Sequence, residues 1–201
     1  MAAMLKSTMK LTHLFLATTC ALSLGTAGAL AQTSNTPTVA APATPATNAP
    51  AAAAPAVSAA DKHFLRAASQ GGLFEIAVGN YAAQNASSSA VKDLGTHTAM
   101  DHTAINQKVG AWAASQDVKL SDKPNAKTQA KIDKLTALTG ADFDKAYVAA
   151  LIKAHNADIA AFQQEIASTS NPDLKALLTD TLPTLQGHLK MAEDAQAGLA
   201  K

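Results

Sequence analysis

Thiol chemistry is all but excluded from this sequence, because its 201 residues contain a single cysteine, Cys20. One cysteine closes no intramolecular disulfide, and "ATTC" at 17–20 lies inside an apolar leader and makes a poor lipidation box. Aromatic residues are scarce at 4 %, which argues against an aromatic-rich sheet core. Charge is sparse and balanced: 16 basic residues face 15 acidic ones, with no basic run. Nothing in that pattern calls for nucleic acid as a partner. Beyond the first thirty residues no apolar stretch approaches the length of about 20 that a membrane-spanning helix needs. No span is expected once the leader is removed.

Alanine and aliphatic residues dominate what is present. The chain is 48 % hydrophobic, a composition that favours helices packed closely through small side chains. Residues 1–31 read as a secretory signal peptide. Lys6 and Lys10 are its positive start, Leu11 to Leu24 its apolar centre, and "ALA" at 29–31 before Gln32 its cleavage site. Export to a bacterial periplasm or beyond is the expectation. Loss of Lys6 and Lys10 leaves 14 basic against 15 acidic residues, a net charge of −1. Residues 32–60 follow as an Ala/Thr/Pro-rich tether. Up to Ser58 this stretch has no charge and no large apolar side chain, so it cannot offset its own ordering entropy. It serves either as a spacer or as a plain low-complexity leader.

From Asp61 to Lys201 the apolar spacing is helical throughout. A first helix is expected over 61–86, ended by "NASSS" at 85–89, where Ser87 or Ser88 can cap a second helix over 88–116. A short helix is expected over 126–138, stopping at Gly140, then long helices over 141–167 and from 172 onward. Asn171 followed by Pro172 is a strong start for the last one, and Pro183 should kink it. Four long rods with one apolar stripe each make a four-helix bundle, an all-α fold, with the short helix in the second connection. That connection, about two dozen residues, can cross the bundle in the ferritin-like manner; an up-down-up-down path also fits. Gly71, Gly72 and Gly79 permit close helix approach.

An oddity recurs on these stripes. The second helix runs Val91, Leu94, Thr98, His102, Ile105, Val109 and Trp112, with an imidazole where a leucine would pack better. The others carry Glu75, His155 and His188 in the same way. Counted from the expected helix starts, Glu75, His102 and His155 each lie 14 residues in, and His188 lies 16 in. All four therefore fall near the midpoint of rods about 40 Å long, in one layer. Buried polar groups are costly when unpaired. Three imidazoles and a carboxylate can be satisfied together by one transition-metal ion, and imidazole suits zinc, iron and copper. Asp101 and Asp158 stand beside the histidines, either to orient the imidazoles or to ligate directly. The competing reading is a metal-free network of His, Glu, Asp and Thr side chains. Trp112 and Tyr147 read as core residues, His63 and His97 as exposed and idle, and the Met100 side chain as pointing elsewhere on its helix.

Several stretches together resemble one bacterial family. They are "DKHFLRAASQGGLFEIAVGNYAAQNASSSAVKDLG", "MDHTAINQKV", "LTGADFDKAYVAALIKAH" and "DLKALLTDTLPTLQGHLKMA", covering about residues 61–195. The family is domain of unknown function 4142, whose members are often labelled outer membrane proteins. The resemblance implies a ferritin-like bundle, export and no settled activity. It maps the family's motifs onto Glu75, Asp101, His102, Asp144, Tyr147, His155 and His188. No Glu-x-x-His pair surrounds His102, His155 or His188, so a mononuclear, histidine-rich site fits better than two-iron chemistry. Three functions follow as expectations. One is a metal-binding bundle that buffers, carries or senses its ion. Another is a non-catalytic envelope or stress protein with a structural polar layer. The third is a metal-dependent oxidoreductase.

Overall fold

The computed structural model describes residues 55–200. The expected signal peptide at 1–31 and positions 32–54 of the expected tether lie outside them. Five helices follow in order: α1 Ala59–Asn85, α2 Ser89–Ser115, α3 Ala126–Thr136, α4 Gly140–Ser168 and α5 Pro172–Leu199. Each long helix lies within two residues of its expected start. Among the described residues there is no strand.

Local chemistry sets the helix ends. Ser58 and Asp61 form a reciprocal capping box at the start of α1, with bonds of 2.7 and 3.1 Å. Ahead of it, Val57 is already buried in the core. Asn171 accepts from the Asp173 and Leu174 amides, and Pro172 follows at the first helical position of α5. Ser88 occupies the cap position of α2 without a side-chain bond. The Asp144 carboxylate supplies what is missing, accepting from the Ser87 and Ser88 amides at 3.0 and 2.8 Å. Gly140 turns the chain into α4 at a φ of 61°. α5 continues as a helix through Pro183 to Leu199.

The same contacts fix the topology. Asp144, at the start of α4, lies against the end of α1, so α1 and α4 run antiparallel. α1 packs on α2 and α4, and α5 on α4 and α2. α2 and α4 are thus diagonal, and residues 116–139 climb the length of the bundle between them. This is the ferritin-like crossover, with α3 lying on α1 and α4. Gln70 on α1 fastens the connection, donating to the Lys123 carbonyl at 3.1 Å and accepting from the Asn125 amide at 2.8 Å.

The interior has two apolar halves. Val78, Ala82, Leu94, Phe143, Tyr147, Leu151 and Ala192 belong to one. Leu65, Val109, Phe162, Leu174, Leu178 and Leu185 belong to the other. On every long helix the chain passes from one half to the other at the same kind of residue: Glu75, His102, His155 or His188. The polar layer is the seam between two cores. Beside it, α1 and α2 touch backbone to backbone, for a Cβ on Gly79 would meet the Gly95 carbonyl at 2.8 Å. Gly72 and Gly79 thus serve close contacts, whereas a Cβ on Gly71 would have only Asp158 Oδ2 nearby, at 3.9 Å.

Candidate metal centre

Glu75, His102, His155 and His188 are all buried, at 1, 4, 0 and 2 % exposure, so four rods deliver four ionisable groups to the interior. The three imidazoles form a near-equilateral triangle, with ring centroids 5.3, 5.3 and 5.7 Å apart. One ring nitrogen from each lies within 4.8 Å of the others, and together they can hold a metal ion. Glu75 stands at the edge of this triangle. Its Oε2 is 3.0 Å from His102 Nε2, and its Oε1 is 3.4 Å from His155 Nδ1, the nitrogen that turns away from His188.

Hydrogen bonds decide where the imidazole protons sit. His155 Nδ1 is 3.0 Å from the Leu151 carbonyl, which only accepts, so that nitrogen carries the proton. His188 Nε2 donates to Asp101 Oδ2 at 2.9 Å. In the neutral tautomers, His155 Nε2 and His188 Nδ1 then face each other at 3.3 Å with a lone pair each. Two lone pairs at that separation repel unless a cation or a proton lies between them. Metal–imidazole bonds of about 2.0–2.1 Å in a tetrahedral site set two nitrogens about 3.3 Å apart. The observed spacing suits that geometry.

Other polar atoms here are unsatisfied. Glu75 Oε1 and His102 Nε2 are buried and have no hydrogen-bond partner among the described residues. The short His102–Glu75 contact lies off the axis of the ring nitrogen and is close without being a hydrogen bond. A cavity of about 20 Å³ borders Glu75, His102, Asp158 and Gly72, room for about one water-sized particle.

Burial governs protonation. It pushes His102 down to about 3, and repulsion from His155 and His188 adds to the effect. His155 is pushed down to about 4 by burial, against the Leu151 hydrogen bond and with repulsion from His188. Both rings are neutral at pH 7, the form that ligates metals. Burial raises Glu75 well above the usual carboxylate range, and Asp158 raises it further. Asp158 itself is pushed up to about 6 by burial, opposed by Lys131.

The flanking residues divide. Asp101 orients His188 on α5, not its neighbour His102. Asp158 borders the cavity beside Glu75. Asp144 has a structural task at the α2 cap. Tyr147 is fully buried, whereas Trp112 is half-buried at the core margin. Neither the Tyr147 nor the Thr98 hydroxyl finds a hydrogen-bond partner among the described residues. Thr98 is near enough only to temper the upward push that burial gives the Tyr147 phenol. His63, His97 and Met100 are exposed.

Sequence reasoning missed Asn106, whose amide lies over Gly72, and a buried acid pair far from the triangle. In that pair Glu165 is pushed up to about 7 by burial and by its hydrogen bond and charge contact with Asp61. No periodicity signals either feature, since both depend on which side chains meet across helices.

Among comparisons with known proteins, one family model matches, over residues 46–195, and its description is Domain of unknown function (DUF4142). No curated protein and no solved structure matches the chain.

Proposed function

We propose, from the premise that the chain belongs to the Domain of unknown function (DUF4142) family, that it binds one transition-metal ion in its mid-bundle layer. His102, His155 and His188 would supply three nitrogens, and Glu75, at the edge of the triangle, is the nearest carboxylate for a fourth position. The ion is zinc, iron or copper, the metals that imidazole suits. The protein buffers, carries or senses that ion. Its setting is the periplasm or another exported compartment, reached through the signal peptide at 1–31 with cleavage after Ala31. The leader pattern supports that placement. Among the described residues no helix is long and apolar enough to cross a membrane.

One observation carries the reading: His155 Nε2 and His188 Nδ1 face each other at 3.3 Å, while the other nitrogen of each ring is turned to an oxygen acceptor. The orphaned Glu75 Oε1 and His102 Nε2 support it. Asp101 behind His188 matches the carboxylate–histidine–metal arrangement that fixes a ligand's tautomer. A second reading rests on the same Asp101 contact. An extra proton on His188, balanced by Asp101, would bridge to His155 and leave a metal-free structural network.

Elemental analysis and zinc titration of the untagged mature protein separate the two. The expected result is one ion per chain, with affinity lost in His102→Ala and His188→Ala. Protein that retains no metal and shows no thermal shift with zinc, copper or iron would overturn the proposal.

A further inference from the structure

A groove of about 640 Å³ runs between α1, α2 and residues 117–122 of the crossover, and it stops short of the metal layer. Leu73, Ile76 and Val118 line it, together with Asp117 and Asp122. The 20 Å³ cavity that borders Glu75, His102 and Asp158 lies further in. Two residues line both spaces, Ser69 and Asn106.

We propose that this groove is the entry path for a hydrated divalent cation and that the Asn106 side chain is its gate. The inference rests on the metal-binding reading above. Asn106 is half-buried on α2, and its amide donates one hydrogen bond, of 3.2 Å, to the Ser69 carbonyl on α1. Gly72 makes room for it. A Cβ there would collide with the amide oxygen, carbon and nitrogen. The amide thus lies against Gly72, the α1 glycine that faces it, between groove and cavity. Rotation of a single side chain, at the loss of one long hydrogen bond, joins the two spaces.

The donors along the path specify its traveller. Asp117 and Asp122 line the groove, the Asn106 amide stands at the divide, and Asp158 and Glu75 line the inner cavity. Glu75 and His102 line that inner cavity, each more than nine-tenths buried, and Glu75 Oε1 and His102 Nε2 have no hydrogen-bond partner among the described residues. Among the described residues no lysine or arginine lines the inner cavity; Lys119 belongs to the outer groove. A cation can exchange its waters for oxygens stepwise before meeting imidazole. An anion meets carboxyl groups at both ends.

Stopped-flow zinc exchange against a chromophoric chelator tests the gate in the full mature chain. Asn106→Ala is expected to raise the association and release rates about tenfold each, with the equilibrium affinity unchanged within about twofold. Asn106→Leu is expected to slow both. Rates equal to wild type in both variants, or a change in one rate alone with affinity shifted in proportion, overturn the gate. A second readout needs no metal: deuterium exchange at the imidazole C2 position, followed by mass spectrometry. Asn106→Ala should speed exchange at His102 and leave His155 unchanged, and an unchanged His102 overturns the gate even where zinc binds. If the wild-type protein takes up no zinc, the cation and the metal reading both fall, whatever the exchange shows.

Discussion

Replacing His102 with glutamine should flatten the pH dependence of stability between pH 7 and pH 5. In the folded protein His102 protonates only near pH 3, against 6.5 for a free imidazole. The unfolded chain therefore binds more protons across this interval, and stability must fall as pH falls. The contribution is fully present above 6.5 and is lost progressively toward 3. At pH 5 the unfolded ring is protonated and the folded ring is not. The difference of 1.5 pH units corresponds to about 2 kcal/mol. His155, held near 4, adds a similar loss. Asp158 opposes both, because a carboxyl raised to about 6 contributes stability at low pH that disappears as pH rises through 6. The wild-type profile mixes these effects, but the difference between wild type and His102→Gln isolates one ring. Urea denaturation of metal-free protein at half-unit pH steps measures it. The two proteins should diverge by about 2 kcal/mol more at pH 7 than at pH 5, in the sense that wild type loses the more on acidification. Parallel profiles would refute the claim that this imidazole is held neutral by burial.

Asp101→Asn should weaken zinc affinity about 10–100-fold by isothermal titration, because the amide no longer fixes the His188 tautomer through a charged acceptor. Gly95→Ala should destabilise the fold by about 1–3 kcal/mol in thermal denaturation, despite alanine's better helix propensity. Its Cβ would sit 2.7 Å from the Gly79 carbonyl and 2.9 Å from the Ala83 amide, forcing α1 and α2 apart. Gly187→Ala is the control: nothing lies within 4 Å of its Cβ, so the helix gains about 1 kcal/mol. Tyr147→Phe should be as stable as wild type or more so, by about 1 kcal/mol, because the phenol oxygen is buried without a hydrogen-bond partner. A loss of 2 kcal/mol there would mean that the Tyr147–Thr98 contact is a true hydrogen bond.

Apolar spacing and caps carried most of the fold. Asn171–Pro172 marks the start of α5 because both act locally, through a side chain on its own backbone and a ring with no amide to satisfy. Depth along a helix is also legible, since a fixed rise per residue turns a count into a height. For this reason one layer could be read from Glu75, His102, His155 and His188. Direction across the bundle was not legible in the same way. Whether residues 116–139 climb along one edge or cross the diagonal depends on Asp144 reaching the Ser87 and Ser88 amides, a contact between distant segments. Side-chain rotation was hidden too. Spacing alone sets Asp101 beside His102, whereas the carboxylate reaches His188. Glu75 shares the layer yet meets His155 through Nδ1, on the side away from the lone-pair contact. Gly95 escaped notice because a glycine signals a close approach only once its partner, Gly79, is known.

The proposed cation would sit among three imidazoles in the seam between two apolar cores. Anomalous diffraction from crystals of the mature protein grown with zinc, collected on both sides of the zinc absorption edge, tests it most directly. One strong peak is expected, bounded by nitrogens of His102, His155 and His188. An anomalous map that is flat there, with zinc bound elsewhere on the molecule, would contradict it.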